Sequence, residues 1–546
     1  MTSLNEFSKD KASIKDAEIG VETETETETV ALQTTTSAPS NDGLFDTKDF
    51  DQVYLAKSRI LSQAIDEIGF GKYQWALLFI AGFGWMSDNT WPVVTSLILS
   101  RLNEVDGVHP PTQKDAPFLT LAQNLGLLAG AAFWSISSDM FGRLWAFNYT
   151  FLITGVFSLV AGASPNFAAI GIFNALWSFG VGGNLPVDSA IFIESIPSSC
   201  QWLLTVMSAW WALGQVLVNL IAWGLLANFS CSDSKEPCLK DNNKGWRYLL
   251  FTMGGLTLFM FLIRFLFPLV ESPGYLLAKG REQEAVQAVH KIAKYNKKES
   301  SLSVQDFHKI QTSLSNDSEF QTESDLVHTT KNSPTQELLK KVNFQTIREC
   351  FRSKRLILSS TLVISSWALI GLAFPLYNAF LPYYLESRGN ANKPLSVYET
   401  YRNSLIVSTL GIPGSLLAGL LVELRIGRKG TLTLSLLLTG VFLFASTTAK
   451  TSNAYLGWNC AFTFVSDIMY GVLYAYTPEV FPSKVRGTAI GLASSANRVL
   501  GVFAPVIAMY ANLTTSAPIF VSGALFLFAG LLTIFFPYEP RGKSSF

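Results

Sequence analysis

Charged side chains are scarce in this chain. Only 15% of its 546 residues are Asp, Glu, Lys or Arg, against about 25% in a typical soluble domain, and 49% are hydrophobic. A soluble enzyme is therefore a poor match, and a formal net charge of zero gives no reason to expect nucleic acid as a partner. The composition is typical of a chain that lies in a lipid bilayer.

Cysteine and histidine are also scarce. The five cysteines and four histidines are scattered, so no group has the spacing of a metal site, and no P-loop or hydrolytic constellation is present. We therefore expect no metal, no cofactor and no enzymatic activity. Cys231 and Cys238 share one short polar loop, where a disulfide could form if that loop faces an oxidising compartment.

Long apolar runs dominate everything after a polar start. Each of twelve stretches, numbered here as spans 1 to 12, is long enough to cross a hydrocarbon core about 30 Å thick. They lie near 74–99, 117–137, 144–163, 167–194, 203–227, 247–270, 356–384, 403–422, 430–449, 455–477, 488–510 and 516–537. The predicted fold class is an all-α membrane protein with twelve transmembrane helices in two six-helix repeats.

Polar segments set the predicted domain boundaries. Residues 1–72 lack the apolar core of a signal peptide and are expected to form a largely disordered tail, with a short surface helix over 51–72. Two six-helix bundles, at 73–270 and 356–538, are separated by a central loop at 271–355. That loop is expected to carry short helices near 280–295 and 335–352 around an irregular middle, and a short tail, 539–546, ends the chain.

The loop charges predict an orientation. Lys and Arg are concentrated after the even-numbered spans, so the positive-inside bias places both termini and the central loop in the cytosol. The sequon at Asn228 then lies on the outer face, where it could be glycosylated. The plasma membrane and an endomembrane such as the vacuole both remain open.

Two short motifs recur 285 residues apart. They are Asp139-x-x-Gly142-Arg143 with Ile426-Gly427-Arg428, and Glu194-x-x-Pro197 with Glu479-x-x-Pro482. Two independent matches at one offset indicate that the halves of the chain are related copies. Secondary transporters are built in this way, with the substrate site between the repeats.

Further motifs carry a family resemblance. They are Glu271-Ser-Pro after span 6, Glu479-x-Phe-Pro-x-x-x-Arg486-Gly after span 10, and Pro537-Tyr-Glu539 near the end. With the repeated motifs, they resemble the major facilitator superfamily, and its sugar porters in particular, from about residue 70 onward. The motifs around Asp88 in span 1 and Asp188 in span 4 are most similar to the synaptic-vesicle-glycoprotein-like branch and its fungal members.

The resemblance implies a cytoplasmic gate of charged residues. In the family, such residues latch the two bundles together on the inner side in the outward-open state, and the alternative is that they only anchor loop ends. Gln201 and Gly274 stand where the family usually has arginine, so an asymmetric network is expected. The predicted gate consists of Asp139, Gly142, Arg143, Glu194, Glu271, Gly427, Arg428, Glu479 and Arg486.

Few ionisable residues lie at membrane depth. Asp88, Asp188, Asp467 and Arg498 cannot plausibly face lipid, so each should face the cavity or a partner. Asp88 is the expected proton site, which the resemblance supports, and the alternative is a fixed, hydrogen-bonded carboxylate. Arg264 lies near the inner end of span 6, where it is expected to snorkel and to have no role.

The other charged and polar groups at membrane depth each allow more than one interpretation. Arg498 requires a carboxylate partner, for which Asp467 is the expected residue, or else an anionic substrate that competes with that partner. Asp188 is either a substrate or proton site or a polar contact among the glycines of span 4. Aromatic and amide side chains would line a cavity for a small, partly polar molecule, unless several of them only pack helices. They are Trp85, Asn89, Asn184, Trp211, Gln215, Trp367, Tyr377, Asn378 and Asn497.

The sequence therefore predicts a monomeric secondary transporter. It would move a small organic solute across a bilayer by alternating access, with coupling to protons. The alternative is a receptor or scaffold with a transporter fold, which binds a solute or partner without net transport.

Overall fold

The protein is helical throughout the part that the structure describes. This computed structural model describes residues 52–102, 107–112, 115–231, 242–316, 348, 350–381, 396–481, 483–510 and 516–540. None of these residues lies in a β-strand. The predicted all-α fold is confirmed.

Each predicted span is helical. Spans 1 to 6 are Lys72–Leu99, Pro117–Phe141, Arg143–Ala161, Phe167–Val181 with Asn184–Ser195, Leu203–Val206 with Ser208–Phe229, and Gly245–Leu266. Spans 7 to 12 are Lys354–Asn378, Val397–Thr409 with Gly411–Leu421, Gly427–Ser446, Ser452–Glu479, Ser483–Tyr510 and Ala517–Ile534.

Nine spans meet the length and apolarity that a membrane crossing requires. Within the described residues, nine helical segments are long and apolar enough to cross a membrane, and they correspond to spans 2, 3, 5 to 9, 11 and 12. The remaining spans 1, 4 and 10 carry Asp88, Asp188 and Asp467 respectively, and span 4 is divided into two short helices. Length and apolarity thus support nine crossings, and the count of twelve stays a prediction.

Glycines bring spans 2 and 4 into backbone contact. Span 4 breaks at Gly182 and Gly183, and a Cβ on Gly182 would lie 2.8 Å from the backbone nitrogen of Ala131 in span 2. A Cβ on Gly130 would likewise lie 2.9 Å from Cα of Phe179. Small residues allow such close packing between membrane helices, where van der Waals contact replaces the hydrophobic effect.

The two halves meet mainly along two pairs of helices. One hydrophobic cluster lies in the C-terminal half and one in the N-terminal half, and a third joins Val397 and Tyr401 of span 8 to residues of the N-terminal half. Span 2 packs against span 11, and span 5 packs against span 8. Across the first contact, Nδ2 of Asn124 donates to the carbonyl oxygen of Gly501 at 3.0 Å. Few polar bonds of this kind join the halves among the described residues.

A helical layer covers one end of the N-terminal half. The helix Gln52–Ile68 packs on the central-loop helices Pro273–Ala278, Glu282–Tyr295 and Val304–Asn316. Lys57 pairs with Glu282 at 2.6 Å. The helices predicted over 51–72 and 280–295 are therefore present, whereas the one near 335–352 lies almost wholly outside the described residues.

The middle of the central loop was wrongly predicted as irregular throughout. Val304–Asn316 is helical because Asp306 accepts hydrogen bonds from the backbone nitrogen and hydroxyl of Ser303, at 3.0 and 2.8 Å, and so fixes the first turn. These bonds hold the pKa of the Asp306 carboxyl below its usual value. Leu302 and Phe307 are buried in the adjoining core and anchor the segment.

The contact between spans 2 and 4 yields a first prediction. Gly130→Val should reduce the yield of folded protein sharply, with a cost above about 3 kcal/mol, because the side chain would overlap the backbone of Phe179. Gly224→Val is the matched control, since nothing lies within 4 Å of a Cβ there. Size-exclusion chromatography of a fluorescent fusion measures both, and equal monodisperse yields would contradict the proposed close packing.

Candidate functional site

An ion pair joins the two halves between spans 1 and 11. Nη2 of Arg498 lies 2.8 Å from Oδ1 of Asp88, and the two side chains are 16% and 9% exposed. The prediction that Arg498 pairs with Asp467 was wrong, because span 11 faces span 1 across the interface at this level. Two opposite charges away from water attract strongly, and each offsets the other's desolvation.

Asp467 lies nearby and has no ion-pair partner among the described residues. Its side chain is buried, and its Oδ2 accepts no hydrogen bond from any described residue. That oxygen lies against Gly411 of span 8, at a point where no Cβ would fit. The methyl group of Ala212, in span 5 of the other half, would lie 3.2 Å from that same Cβ.

Aromatic rings from both halves pack together beside the ion pair. The ring of Tyr474 lies 5.5 Å from Trp85, 4.6 Å from Trp211 and 4.5 Å from Trp367, between centroids. Tyr470 lies 5.6 Å from Trp211. We call these five residues the aromatic layer. It lies toward the end of span 1 that precedes Asp88.

Tyr474 was missed in the sequence, although a signal was present. Asp467, Tyr470 and Tyr474 are three and four residues apart, so a helix places them on one face. A polar face of this kind in a membrane helix points to an interior surface.

Hydrogen bonds join the two halves on the opposite side of the ion pair. The hydroxyl of Ser96 donates to the carbonyl oxygen of Ala379 at 2.7 Å, and the hydroxyl of Tyr401 donates to the carbonyl oxygen of Leu97 at 3.0 Å. The Ser100 and Tyr401 hydroxyls are 3.1 Å apart. The end of span 1 is thus bonded to spans 7 and 8 of the other half. Contacts between the halves therefore lie on both sides of the ion pair.

The predicted lining residues fall into two groups. Trp85, Trp211 and Trp367 belong to the aromatic layer. Gln215 is buried in span 5. Asn497 donates to the carbonyl oxygen of Trp367 at 3.0 Å and so fixes that residue from span 11.

The second group lies away from the ion pair or only partly inside. Asn89 and Asn378 are partly exposed. Nδ2 of Asn184 donates to the Ser87 hydroxyl at 3.2 Å, within the N-terminal half. Tyr377 is fully buried, and its hydroxyl donates to Asn459 within the C-terminal half, so it is a packing residue.

Arg264 does not snorkel, contrary to expectation. It is 1% exposed and forms an ion pair with Asp188, which is also buried. Its guanidinium donates to the carbonyl oxygens of Ile80, at 3.2 Å, and Phe147, at 2.8 Å. Gly84 of span 1 leaves space for the pair, since a Cβ there would lie 2.7 Å from Nη2 of Arg264. Asp188 is therefore neutralised inside one half, which favours a structural role.

The predicted gate residues of the N-terminal half assemble where span 3 begins. Gly142 has a φ of 108°, and Glu271 accepts from the backbone nitrogens of Arg143 and Leu144 at 3.2 and 3.5 Å. A carboxylate at this position satisfies free backbone N–H groups and the positive end of the helix dipole. Nη1 of Arg143 lies 2.6 Å from Glu194.

The C-terminal half repeats the same arrangement where span 9 begins. Gly427 has a φ of 69°, and Glu539 accepts from the backbone nitrogens of Arg428 and Lys429, both at 2.9 Å. Arg428 pairs with Glu479. The side chains of Asp139 and Arg486 lie outside the described residues. The contacts named here stay within one half, so a latch between the halves remains a prediction.

Two loop features follow span 5. Cys231 is disulfide-bonded, whereas Cys200, Cys350 and Cys460 carry free thiols. Cys238 lies outside the described residues. Asn228 is exposed, as a glycosylation site requires, and its glycosylation stays a prediction.

Comparison with known proteins identifies the family. The profile described as sugar (and other) transporter matches residues 71–544. The chain belongs to this family of the major facilitator superfamily. An uncharacterized MFS-type transporter of Schizosaccharomyces pombe is 68% identical over 95% of this chain and 94% of its own length. MFS siderochrome iron transporter 1 of Ceriporiopsis subvermispora is 49% identical over 92% and 94% respectively.

More distant matches agree with this assignment. A synaptic vesicle 2-related protein of Xenopus laevis is 24% identical over 89% of this chain and 82% of its own length. The proton:xylose symporter XylE, bound to 6-bromo-6-deoxy-D-glucose, has the same fold, with a TM-score of 0.66 and 17% identity over 87% of this chain and 98% of XylE. The resemblance inferred from the motifs is confirmed, and the protein is a multi-pass membrane protein of a transporter family.

A structural role for Asp188 and Arg264 can be tested by a mutant cycle. Asp188→Asn and Arg264→Met alone should each lower stability by about 3 kcal/mol, because each leaves one charge buried and unpaired. The double variant should regain much of this loss, since both charges are then gone. Thermal unfolding of the purified protein in detergent measures the cycle. Additive losses in the double variant would show that the two residues do not act as a pair.

Proposed function

We propose that the protein is a proton-coupled transporter of a small organic solute that carries an anionic group. The ion pair between Asp88 and Arg498 carries this proposal. It lies between the two repeats, where transporters of this architecture bind substrate, and its two side chains are largely buried. Arginine stays protonated, so a guanidinium at this depth must always face an anion.

The pair suggests how a proton and a solute are coupled. When Asp88 takes up a proton, it ceases to neutralise Arg498, and the guanidinium becomes available to a carboxylate or phosphate of the solute. One proton and one negative charge then enter together, so the net charge of the site does not change. The rings of Trp85, Trp211 and Tyr474 lie beside the pair and offer stacking faces for the organic part of the solute.

The relatives support transport but not one substrate. The relative that is 49% identical is named for siderochrome iron, which makes a ferric siderochrome one candidate cargo. Small carboxylates and organic phosphates are the candidates that the ion pair itself favours. We further propose that both termini and the central loop are cytosolic, as the loop charges indicate, and the disulfide at Cys231 in an outer loop supports that orientation.

Transport assays with variants of the pair test this proposal. In proteoliposomes with an inward proton gradient, the protein should accumulate a labelled solute from a panel of carboxylates, their uncharged amides, organic phosphates and ferric siderochromes. Asp88→Asn should reduce accumulation by at least about tenfold, equivalent to about 1.4 kcal/mol, because no proton can then bind and enter together with the solute. Binding of the same anion, measured by thermal stabilisation, should persist because Arg498 remains.

Glu284→Gln provides the control, since it makes the same chemical change at an exposed site in the central loop. Arg498→Lys should weaken binding of the anions and leave uncharged amides unaffected. If amides and anions are moved equally well, Arg498 does not select an anion. If anions stabilise the protein but none accumulates, the protein is a receptor with a transporter fold.

A further inference from the structure

Asp467 is a buried acid for which the site described above has no use. The carboxyl group is 6% exposed, and its Oδ2 has no hydrogen-bond partner among the described residues. It lies against the backbone of Gly411, close to Ala212 of the other half. Neither neighbour can neutralise a negative charge.

Among the described residues, no cation pairs with Asp467. The main helices of span 5, Ser208–Phe229, and of span 8, Gly411–Leu421, contain no ionisable residue, and neither does Leu203–Val206. Arg498 of span 11 is held by Asp88. The other titratable groups on the packed helices are Tyr455, Cys460, Tyr470, Tyr474, Tyr476 and Glu479 on its own helix, Tyr398, Glu399, Tyr401 and Arg402 in the first turns of span 8, Arg428 and Lys429 at the start of span 9, and Lys484, Arg486 and Tyr510 on span 11, where the side chains of Lys484 and Arg486 are not described.

These contacts favour the neutral form of the carboxyl. An ionised carboxylate with one oxygen against the backbone of Gly411, and with no donor or cation for that oxygen among the described residues, would cost several kcal/mol. The neutral acid loses far less hydration and can occupy the same space.

We propose that Asp467 is a second proton-binding site, which holds a proton whenever spans 5, 8 and 10 are packed as they are here. Because Gly411 and Ala212 belong to different halves, the packing that covers the acid is also part of the interface that must open during transport. The proton enters from water while the halves are apart, and it leaves to water when they separate again. Protonation of Asp467 therefore favours the closed arrangement. Its link to transport rests on the proposed function, whereas its protonation does not.

Infrared spectroscopy of the full chain in an ester-free detergent, which leaves the carboxylic-acid region of the spectrum clear, tests this without any solute. A protonated carboxylic acid has a C=O stretching band that is distinct from carboxylate and amide bands. We expect this band at neutral pH in the wild-type protein and in Asp88→Asn, and its loss in Asp467→Asn. The asparagine has the shape of the neutral acid, so the variant should fold, which thermal unfolding checks.

The outcomes separate this proposal from the one before it. A band that persists in Asp467→Asn, or that disappears in Asp88→Asn instead, overturns the second proton site, whether or not the protein transports a solute. A band specific to Asp467 in a protein that accumulates no member of the panel supports the proton site and counts against transport. Gly411→Ala is a further check. Its methyl group would displace the carboxyl, so the band should shift or vanish, while an unchanged band would contradict the contact.

Discussion

An ionisable side chain inside a bilayer must either pair with an opposite charge or become neutral. This constraint explains how the acidic and arginine side chains in the interior of the protein are placed. Insertion scales put the cost of a charged side chain at the bilayer centre at about 2.5 to 3.5 kcal/mol. Asp188 meets the constraint with Arg264 inside the N-terminal half, and Asp88 meets it with Arg498 across the interface. The first pair can remain intact while the halves move, whereas the second must change when they separate. We therefore assign a structural role to the pair inside one half and a role in the proposed transport mechanism to the pair across the interface.

The two halves share the same arrangement of helices and helix starts, but their buried charged residues differ. Glu271 and Glu539 bind the first backbone nitrogens of spans 3 and 9 in the same way, each next to a glycine with positive φ. By the 285-residue offset, Gly126 of span 2 corresponds to Gly411 of span 8, and both are closely approached by the next even-numbered span. In the N-terminal half that approach is backbone on backbone. In the C-terminal half, the carboxyl of Asp467 occupies the equivalent space. The two repeats therefore share the close contact at the glycine, but in the C-terminal half the contacting group is an acid instead of backbone.

The sequence predicted the helical spans and the family better than it predicted which charged residues pair. Apolar length and the repeated motifs were sufficient for the spans and the family, because both depend on local pattern. Partner choice depends on which faces meet across helices far apart in sequence. Arg264 is near a helix end, where snorkelling is the usual outcome. Here, however, its guanidinium binds Asp188 and two carbonyl oxygens inside the protein. Asp467 and Arg498 lie on neighbouring spans of one half, yet span 11 turns its arginine toward span 1.

The contacts between the halves on the two sides of Asp88 and Arg498 differ in kind. Hydrogen bonds from Ser96 and Tyr401 lie on one side, and the aromatic layer lies on the other. Directional bonds to backbone carbonyls are either made or broken, whereas aromatic rings can slide past one another and keep part of their contact. Opening at the hydrogen-bonded side should therefore be the more all-or-none event. In the proposed scheme, the charge of the Asp467 carboxyl changes when the helices that bury it separate. The free energy of closing the halves therefore depends on whether this carboxyl has bound a proton.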